Sequence, residues 1–513
     1  MAEATRPITG CDDVLWHVTG ACPDIAERLR TLRVDSSGVL VKQNSRRRVY
    51  YLPASSPDAT GHYLKCDHPT SLRYRLRARF WVKAQREFCS AAALAEAGVP
   101  VVDCVAWGRR GSGTFLLSRE CKGGKPLREA WQTCRSDRGR RAQFLSGLGN
   151  FLGAMCRARI SHPDLHTENV LVVEANGTFE FVLVDIYGVR VGVRWGRRSR
   201  DAILGLAAAL GREVTLPESE RLMLSVGVSP SEALPEWRRQ LWCFFNDQRK
   251  RWPGRRRRML TSSSLCEREE NAQGTWLLRP DLSVDEAGQA VDLHRANTAE
   301  DRGILKRGSK RQLSRVRVGG RALVVKEFFN VGWRGLWRPD RAAWLNAYRL
   351  GLALVPAARC FGWLRARDGN GFLVFEDLGP LTLEHALGRE GASVHRLELL
   401  SAAGKLTAWL HAARIVHRDL TAANFLVVPG PPDSPLPLKL IDYDRIRLYR
   451  RNCPQSRRVH NLVQLFELLL PSTGRRERLR LLAAYRRQMG DDRAAFRRLL
   501  EDLETALPGV LMP

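Results

Sequence analysis

The sequence lacks the cysteine, histidine and hydrophobic patterns that mark several common protein classes. Its twelve Cys form no C-x-x-C pair and no His/Cys cluster with zinc-ligand spacing, which predicts reduced thiols and no zinc site. No apolar run approaches the roughly 20 residues that a membrane-spanning helix needs. The N-terminus lacks the basic-then-apolar pattern of a signal peptide. We therefore expect a cytoplasmic protein that is at most peripheral on a membrane.

Acidic residues are few compared with basic ones. The chain has 83 Lys and Arg against 54 Asp and Glu, a net charge of +29. This excess is typical of proteins that contact polyanions, whether nucleic acid, an anionic membrane face or a phosphorylated substrate. At 513 residues the chain is too long for one core, which predicts two or more domains.

A short pattern of acidic and amide residues occurs twice in the chain. In the first copy Asn169 follows Asp164 by five positions, and Asp185 ends the next apolar strand. The second copy repeats this order with Asp419, Asn424 and Asp442. Asp419 follows Asp164 by 255 positions, and Asn424 follows Asn169 by the same number. This constant offset indicates a duplicated domain rather than two chance matches.

This pattern is suited to phosphoryl transfer with ATP and Mg²⁺. A loop Asp orients the acceptor hydroxyl, while an Asn and a later Asp hold the metal that bridges the ATP phosphates. The sequence thus predicts Asp164 and Asp419 as catalytic residues. It predicts four metal ligands, which are Asn169, Asp185, Asn424 and Asp442.

The cation that contacts the α- and β-phosphates comes from the third strand in such sites, where a helix Glu holds it. Lys65 ends an apolar strand and Glu87 follows in a helix, so this pair fits the first copy. The second copy offers Lys326, but Ala343 stands where the Glu is expected. Either another acid takes its place, or the second domain is impaired or serves mainly as a scaffold.

The fold class predicted is α+β, with two tandem bilobal protein-kinase-like domains. Each domain has an antiparallel-sheet N-lobe and a helical C-lobe. The expected ranges are 30–247 for the first domain, 248–275 for a basic, Ser-rich linker and 276–513 for the second. A basic amphipathic segment covers about 72–97, and its apolar positions predict a helix over its second half, ended by Gly98 and Pro100.

No G-x-G-x-x-G loop is found near the first strands of either domain. The turns at 42–45 and 306–309 each read Lys-x-x-Ser, a sequence that fits a phosphate-binding turn or a plain hairpin turn. Basic runs follow both metal Asp residues. Their side chains either form a solvated face or bind phosphates of the acceptor. The run after Asp185 contains Arg190, Arg194, Arg197, Arg198 and Arg200, and the run after Asp442 contains Arg445, Arg447, Arg450, Arg451, Arg457 and Arg458.

These residues resemble the lipopolysaccharide kinase family, whose members phosphorylate heptose or Kdo sugars of the lipopolysaccharide core. The resemblance rests on the glycine-poor turn, Lys65, the Arg-Glu-Phe at Glu87, the Leu-Val-Asp-Ile at Asp185, and on His-Arg-Asp-Leu and Leu-Ile-Asp-Tyr-Asp in the second copy. It covers roughly 35–210 and 300–470. The resemblance implies an anionic glycolipid or sugar acceptor and peripheral contact with an anionic membrane surface. Ala343, and Asn461 where the first copy has Asp201, depart from the pattern.

Two alternatives stay open. The run His-Pro-Asp-Leu-His-Thr-Glu-Asn at 162–169 also resembles aminoglycoside and choline kinases, and a Ser/Thr protein kinase fits the same catalytic residues. A pseudokinase scaffold that binds partners or nucleic acid through its basic surface is the other alternative. For the kinase interpretation we do not expect nucleic acid among the partners.

Overall fold

The computed structural model describes residues 5–19, 23–34, 38–43, 47–54, 60–68, 82–192, 196–329, 338–388, 393–428 and 438–511. The chain divides into two compact units, Met1–Leu241 and Trp242–Pro513, here called unit 1 and unit 2.

Unit 1 begins with a seven-stranded antiparallel sheet. Its strands are β1 (Thr5–Thr9), β2 (Leu15–Thr19), β3 (Val39–Gln43), β4 (Arg47–Leu52), β5 (His62–Asp67), β6 (Cys104–Arg110) and β7 (Gly113–Arg119). They lie in the order β1-β2-β6-β7-β5-β4-β3. Trp16, Leu64 and Phe115 belong to the core on one face. Because side chains alternate along a strand, Lys65 lies on the opposite face from Leu64.

Two helices accompany this sheet, α1 (Pro23–Thr31) and α2 (Lys83–Glu96). The helix expected over the second half of 72–97 begins at Lys83 among the described residues, and 69–81 lie outside them. Helix α2 contains seven residues between Ala84 and Ala95 that are Ala, Glu or Leu, which favour helix. Gly98 follows with a φ of 70°, a left-handed conformation that ends the helix at low steric cost.

The rest of unit 1 is mainly helical. A small sheet has the order β10-β9-β8, from β8 (Lys125–Pro126), β9 (Val170–Ala175) and β10 (Thr178–Leu183). The helices are α3 (Leu127–Cys134), α4 (Arg138–Arg157), α5 (Arg197–Leu210), α6 (Leu216–Ser225) and the first half of α7 (Pro230–Arg258). Apolar residues such as Phe144, Leu148 and Phe151 make one buried face of α4.

Unit 2 repeats the seven-stranded sheet. Its strands are β11 (Glu267–Glu270), β12 (Gly274–Leu278), β13 (Ile304–Arg307), β14 (Arg311–Val318), β15 (Arg321–Phe328), β16 (Cys360–Ala366) and β17 (Gly371–Glu376). Their order is β11-β12-β16-β17-β15-β14-β13, so each strand has a counterpart in unit 1. Helices α8 (Val284–Ala299) and α9 (Pro339–Leu352) correspond to α1 and α2.

The remainder of unit 2 is again helical, with four short strands. The strands are β18 (Ile415–His417), β19 (Phe425–Val427), β20 (Leu438–Leu440) and β21 (Ile446–Leu448). The helices are α10 (Leu383–Gly388), α11 (Ser393–Ala412), α12 (Gln455–Leu469), α13 (Arg475–Met489) and α14 (Arg493–Ala506). The α+β class predicted from the sequence is confirmed.

Each unit begins earlier in the chain than the predicted domain boundaries at residues 30 and 276. Strands β1 and β2 precede residue 30 and pair into the unit 1 sheet, and β11 lies within 248–275, the range assigned to a linker. The polybasic run there continues helix α7 to Arg258, because Arg, Lys and Gln are good helix formers. Trp344 Nε1 donates to the Met259 carbonyl at 2.9 Å, which joins the end of this helix to α9. Residues 248–275 therefore belong to the packed structure of unit 2.

Across the described ranges, no helix has both the length and the apolar character that crossing a bilayer requires.

Candidate active sites

The loop that carries Asp164 and Asn169 lies between α4 and β9. Asn169 Nδ2 donates to the Asp164 carbonyl at 2.9 Å, and the Asp164 N–H donates to His162 Nδ1 at 3.2 Å. Burial lowers the pKa of His162 to about 4, so this imidazole is neutral and can accept. The side chain of Asp164 is 72% exposed, while Asn169 is buried. The loop thus presents one carboxylate to solvent on a fixed backbone.

Asp185 is brought beside this loop by the end of strand β10. The Val184 N–H donates to the Asn169 carbonyl at 2.9 Å, which ties the two segments together. Asp185 has a φ of 54°, a left-handed conformation uncommon for a non-glycine residue. Backbone strain of this kind is found at functional sites, where the surrounding structure maintains it. Asp164, Asn169 and Asp185 are therefore neighbours in unit 1.

Lys65 connects Asp185 to helix α2. Its ammonium group pairs with Glu87 and lies 3.6 Å from Asp185 Oδ1. The Glu87 side chain is only 2% exposed. Burial alone would lower the pKa of Lys65, but Glu87 and Asp185 outweigh it and raise that pKa. Lys65 is thus a fixed cation beside Asp185, as the sequence predicts for the phosphate-binding Lys.

Further charges that the sequence interpretation did not include complete the group in unit 1. Arg47, the first residue of β4, contacts Asp67 at 3.0 Å and Asp185 at 3.3 Å. Lys83 contacts Asp67 at 2.8 Å. Burial would raise the pKa of Asp185, but Lys65 and Arg47 lower it below its usual value. Asp185 is therefore ionised.

Unit 2 forms the same loop with the same hydrogen bonds. Asn424 Nδ2 donates to the Asp419 carbonyl at 2.8 Å, and the Asp419 N–H donates to His417 Nδ1 at 3.2 Å. The Ile441 N–H donates to the Asn424 carbonyl at 2.9 Å. Asp442 has a φ of 56°, close to that of its counterpart in unit 1. The repeated pattern thus corresponds to a repeated local structure.

Lys326 finds different partners in unit 2. Ala343 is buried on α9 where Glu87 lies on α2, and the Lys326 ammonium pairs with Asp442 at 2.6 Å and with Asp444 at 3.3 Å. Both Lys326 and Asp444 have side chains under a tenth exposed. Another acid therefore contacts the Lys, which is one of the two alternatives that the sequence left open.

Arg311, the first residue of β14, completes this group as Arg47 does in unit 1. It contacts Asp442 and Asp444 at 3.0 Å each. Two cations and two carboxylates thus balance in charge. Burial would raise the pKa of Asp442, but Lys326 and Arg311 hold it below its usual range, whereas burial raises the pKa of Asp444. The negative charge is therefore held most firmly on Asp442.

Helix α9 also holds the backbone around Asp444. Asn346 Nδ2 donates to the Tyr443 carbonyl at 3.0 Å and to the Asp444 carbonyl at 3.3 Å. Arg47, Arg311 and Asp444 were missed by sequence reasoning. A signal existed for each, since an Arg follows the same polar turn in both copies and an Asp-Tyr-Asp run stands in the second.

Asn461 supports the catalytic loop of unit 2. Its Nδ2 donates to the His417 carbonyl and to Gln464 Oε1, and Gln464 in turn bonds the backbone of Arg418 and Leu420. In unit 1, Asp201 instead pairs with Arg239 of α7 at 2.6 Å. Asn461, which replaces the Asp of the first copy, thus stabilises the backbone of this loop by hydrogen bonds.

Three further observations concern residues around these loops. His166 Nε2 lies 3.7 Å from Asp164 Oδ2, so it reaches the first site. Arg458 of the second basic run pairs with Asp491 and with the Tyr485 hydroxyl, which makes it a structural residue. Asn44, Ser45 and Arg194 lie outside the described residues, as do the side chains of Arg197 and Arg198.

Each described group offers ligand atoms that suit Mg²⁺. Carboxylate and amide oxygens are the protein ligands this ion prefers. In both loops the Asn amide nitrogen is used on the backbone of the loop Asp, so the amide oxygen is the atom left for a cation. Arg47 and Arg311 lie against Asp185 and Asp442, the two Asp residues that the sequence predicts as metal ligands. These residue types fit a magnesium nucleotide whose phosphates would attract the same Arg side chains.

Comparison with known proteins agrees with the duplicated pattern. No curated protein matches the chain. The family model described as Lipopolysaccharide kinase (Kdo/WaaP) family matches residues 62–205 and 367–485, which together make up just over half of the chain. The first segment contains Lys65, Asp164 and Asp185, and the second contains Asp419 and Asp442. The chain belongs to the lipopolysaccharide kinase (Kdo/WaaP) family of phosphotransferases, in two tandem copies.

Proposed function

We propose that this protein transfers the γ-phosphate of ATP to a hydroxyl group on a sugar of the lipopolysaccharide core or a similar anionic glycolipid. One observation carries the proposal: each unit gathers a loop Asp, an Asn, a strand-ending Asp and a strand Lys around one place. Phosphoryl transfer depends on positioning and on charge stabilisation, which such a group supplies.

In unit 1, Asp164 orients the acceptor hydroxyl and accepts its proton. Its exposed carboxylate can be reached by a large acceptor, and His166 at 3.7 Å can bond an acceptor hydroxyl beside it. Lys65 contacts the ATP phosphates, and Glu87 holds Lys65 in place. Arg47 moves from Asp185 to the phosphates when the nucleotide binds, because a phosphate offers it more negative charge.

Mg²⁺ would be held by Asn169 and Asp185 in unit 1 and by Asn424 and Asp442 in unit 2. When bound, this ion neutralises the charge of the phosphates. Unit 2 repeats the remaining roles with Asp419 and Lys326. Its Lys326 is held by Asp444 rather than by a helix Glu.

The basic surface is suited to an anionic acceptor. Arg190, Arg445, Arg447 and Arg451 are exposed near the segments that follow the metal Asp residues. Arg forks match phosphate groups bidentately, so they suit an acceptor that carries anionic groups. We place the reaction at the cytoplasmic face of a membrane, where the protein contacts an anionic surface peripherally.

Turnover of ATP by the full chain tests the proposal. The acceptors are lipopolysaccharide core, a basic protein and water, each with Mg²⁺. We expect transfer to the core alone, and in an Asp419→Asn background, which removes the loop Asp of unit 2, Asp164→Asn should lower the remaining kcat about 10²–10⁴-fold because a positioned general base contributes that much. Glu180→Gln, an exposed acid on β10, is the control and should retain full activity.

Phosphorylation of the protein acceptor alone would instead support a Ser/Thr kinase. Nucleotide binding with no transfer to any acceptor would support a scaffold. Unchanged turnover when Asp164→Asn is added to the Asp419→Asn background would contradict the assignment of the first site.

A further inference from the structure

A cavity of 210 Å³ lies within unit 2, apart from the residues of the proposed nucleotide site. It is bounded by the second half of α7, the C-terminal end of α9 and the residues just before β18 and just after β21. Lys326, Asp419, Asn424 and Asp442 do not line it. The charged groups that face it are Arg249, Arg349, Arg414 and Arg450.

In the part of the chain that the structure describes, these four Arg side chains have no acidic partner. Within the described ranges, no Asp or Glu lines the cavity or forms an ion pair with them. Nε of Arg349 and Nε of Arg414 are buried and, among the described residues, lack a hydrogen-bond partner. Arg414 is 5% exposed. A buried cation without a counter-charge is costly, which favours an anion that supplies one.

The positions of the buried Arg side chains are fixed by aromatic rings and backbone. The Arg349 guanidinium lies 4.0 Å from the centre of the Trp252 ring, and that of Arg414 lies 5.0 Å from Trp242. Arg414 also donates to the Arg450 carbonyl at 3.0 Å. Burial and the nearby Arg256 lower the pKa of Arg349 to about 10. These donors are therefore preorganised yet electrostatically unsatisfied.

We propose that this cavity binds a phosphate ester. Arg forks match phosphate oxygens bidentately, and several forks around one cavity can share a single phosphate. Trp252, Tyr449 and Ile415 line the remaining walls, so they accept an uncharged sugar or polyol portion. The volume is below the roughly 300–1,000 Å³ of cavities that hold drug-sized ligands, which favours a small ester over a nucleoside triphosphate.

The cavity is formed by residues of unit 2. Ala93 stands on α2 at the position that corresponds to Arg349 on α9. The polybasic run that ends α7 contributes to phosphate binding in this proposal, because Arg249 and Trp252 of that run form one wall of the cavity. The residues before β18 form another wall, and β18 leads directly to Asp419. A bound ester would thus stabilise the base of the second catalytic loop.

Calorimetric titration of the full chain with glycerol 3-phosphate tests the proposal. We expect saturable binding that Arg349→Gln and Arg450→Gln each weaken about tenfold, since charge-assisted hydrogen bonds contribute that much. Arg450 is exposed, so its replacement leaves folding intact. Arg257→Gln is the matched control: it lies exposed in the same run, outside the cavity, and should bind as the wild type does.

Vesicles identify the source of the phosphate. Flotation is measured with phosphatidylcholine vesicles that contain or lack phosphatidic acid. Binding to the acidic vesicles that Arg349→Gln removes would support a lipid headgroup, and binding of glycerol 3-phosphate alone would support a free ester. The proposal is overturned if neither probe binds saturably, or if Arg349→Gln and Arg450→Gln bind as tightly as Arg257→Gln.

Discussion

Replacing Asp444 by Asn tests how unit 2 functions without the helix Glu. Asp444 is one of two carboxylates that contact Lys326, and the other is Asp442. Once Asp442 binds the metal of a nucleotide, Asp444 is left as the partner that orients Lys326. The Asn side chain keeps the shape of Asp but removes its charge, so Lys326 loses that partner.

The size of the effect follows from the local charges. The group of Lys326, Arg311, Asp442 and Asp444 is neutral, and the change leaves one positive charge in excess. Breaking a buried ion pair costs about 3–5 kcal/mol. The raised pKa of Asp444 shows that its charge is held less firmly, so we expect the lower figure of about 1–3 kcal/mol that an unmade hydrogen bond costs. This corresponds to a loss of about 5- to 150-fold in affinity.

The assay is fluorescence titration with an ATP analogue in the presence of Mg²⁺. It is performed in an Asp185→Asn background, so that unit 2 supplies the signal. The matched variant is Glu87→Gln, assayed in an Asp442→Asn background, which removes the acid that holds Lys65 in unit 1. Both changes should weaken binding to a similar degree. Wild-type affinity in Asp444→Asn, together with a clear loss in Glu87→Gln, would refute the role given to Asp444.

Three further predictions concern the stability of unit 2. Ala343→Glu should lower the free energy of unfolding by about 1–3 kcal/mol, because the larger side chain overpacks a buried position. It should not raise nucleotide affinity, because Lys326 is already paired. Calorimetric melting measures the first effect and nucleotide titration the second. Asn461→Asp should lower stability by about 1–3 kcal/mol, since a carboxylate cannot donate to the His417 carbonyl; an unchanged melting temperature would contradict it. His411 is buried, which lowers its pKa to about 4. Below about pH 6.5 this imidazole is therefore protonated in the unfolded chain but stays neutral in the folded chain until about pH 4. Stability should therefore fall by about 2 kcal/mol from pH 7 to pH 5, and urea unfolding of His411→Gln should show a smaller dependence.

The structure of the Asp-Asn loops could be predicted from sequence because each is a local pattern. Asp164 and Asn169 are five positions apart, and the hairpin of β9 and β10 brings Asp185 to them. The pairing of Lys65 with Glu87 depends on a strand followed by a helix, an order that hydrophobic periodicity reveals.

The groups that sequence reasoning missed are joined over long distances in the chain. Arg47 contacts Asp185 across 138 positions, and Arg311 contacts Asp442 across 131. An Arg after a polar turn is usually a solvated surface charge, so neither residue carries a signal by itself. The pairing of β1 and β2 with β6 is likewise set by tertiary packing, which local propensity does not determine.

The stoichiometry of magnesium-dependent nucleotide binding tests the central claim most directly. Titration of the full chain with a non-hydrolysable ATP analogue should give two sites per chain with Mg²⁺. Asp185→Asn or Asp442→Asn should each leave one site, and Asp164→Asn should leave both. A single site in the wild type, or two sites that persist in the Asp185→Asn and Asp442→Asn double variant, would contradict the account.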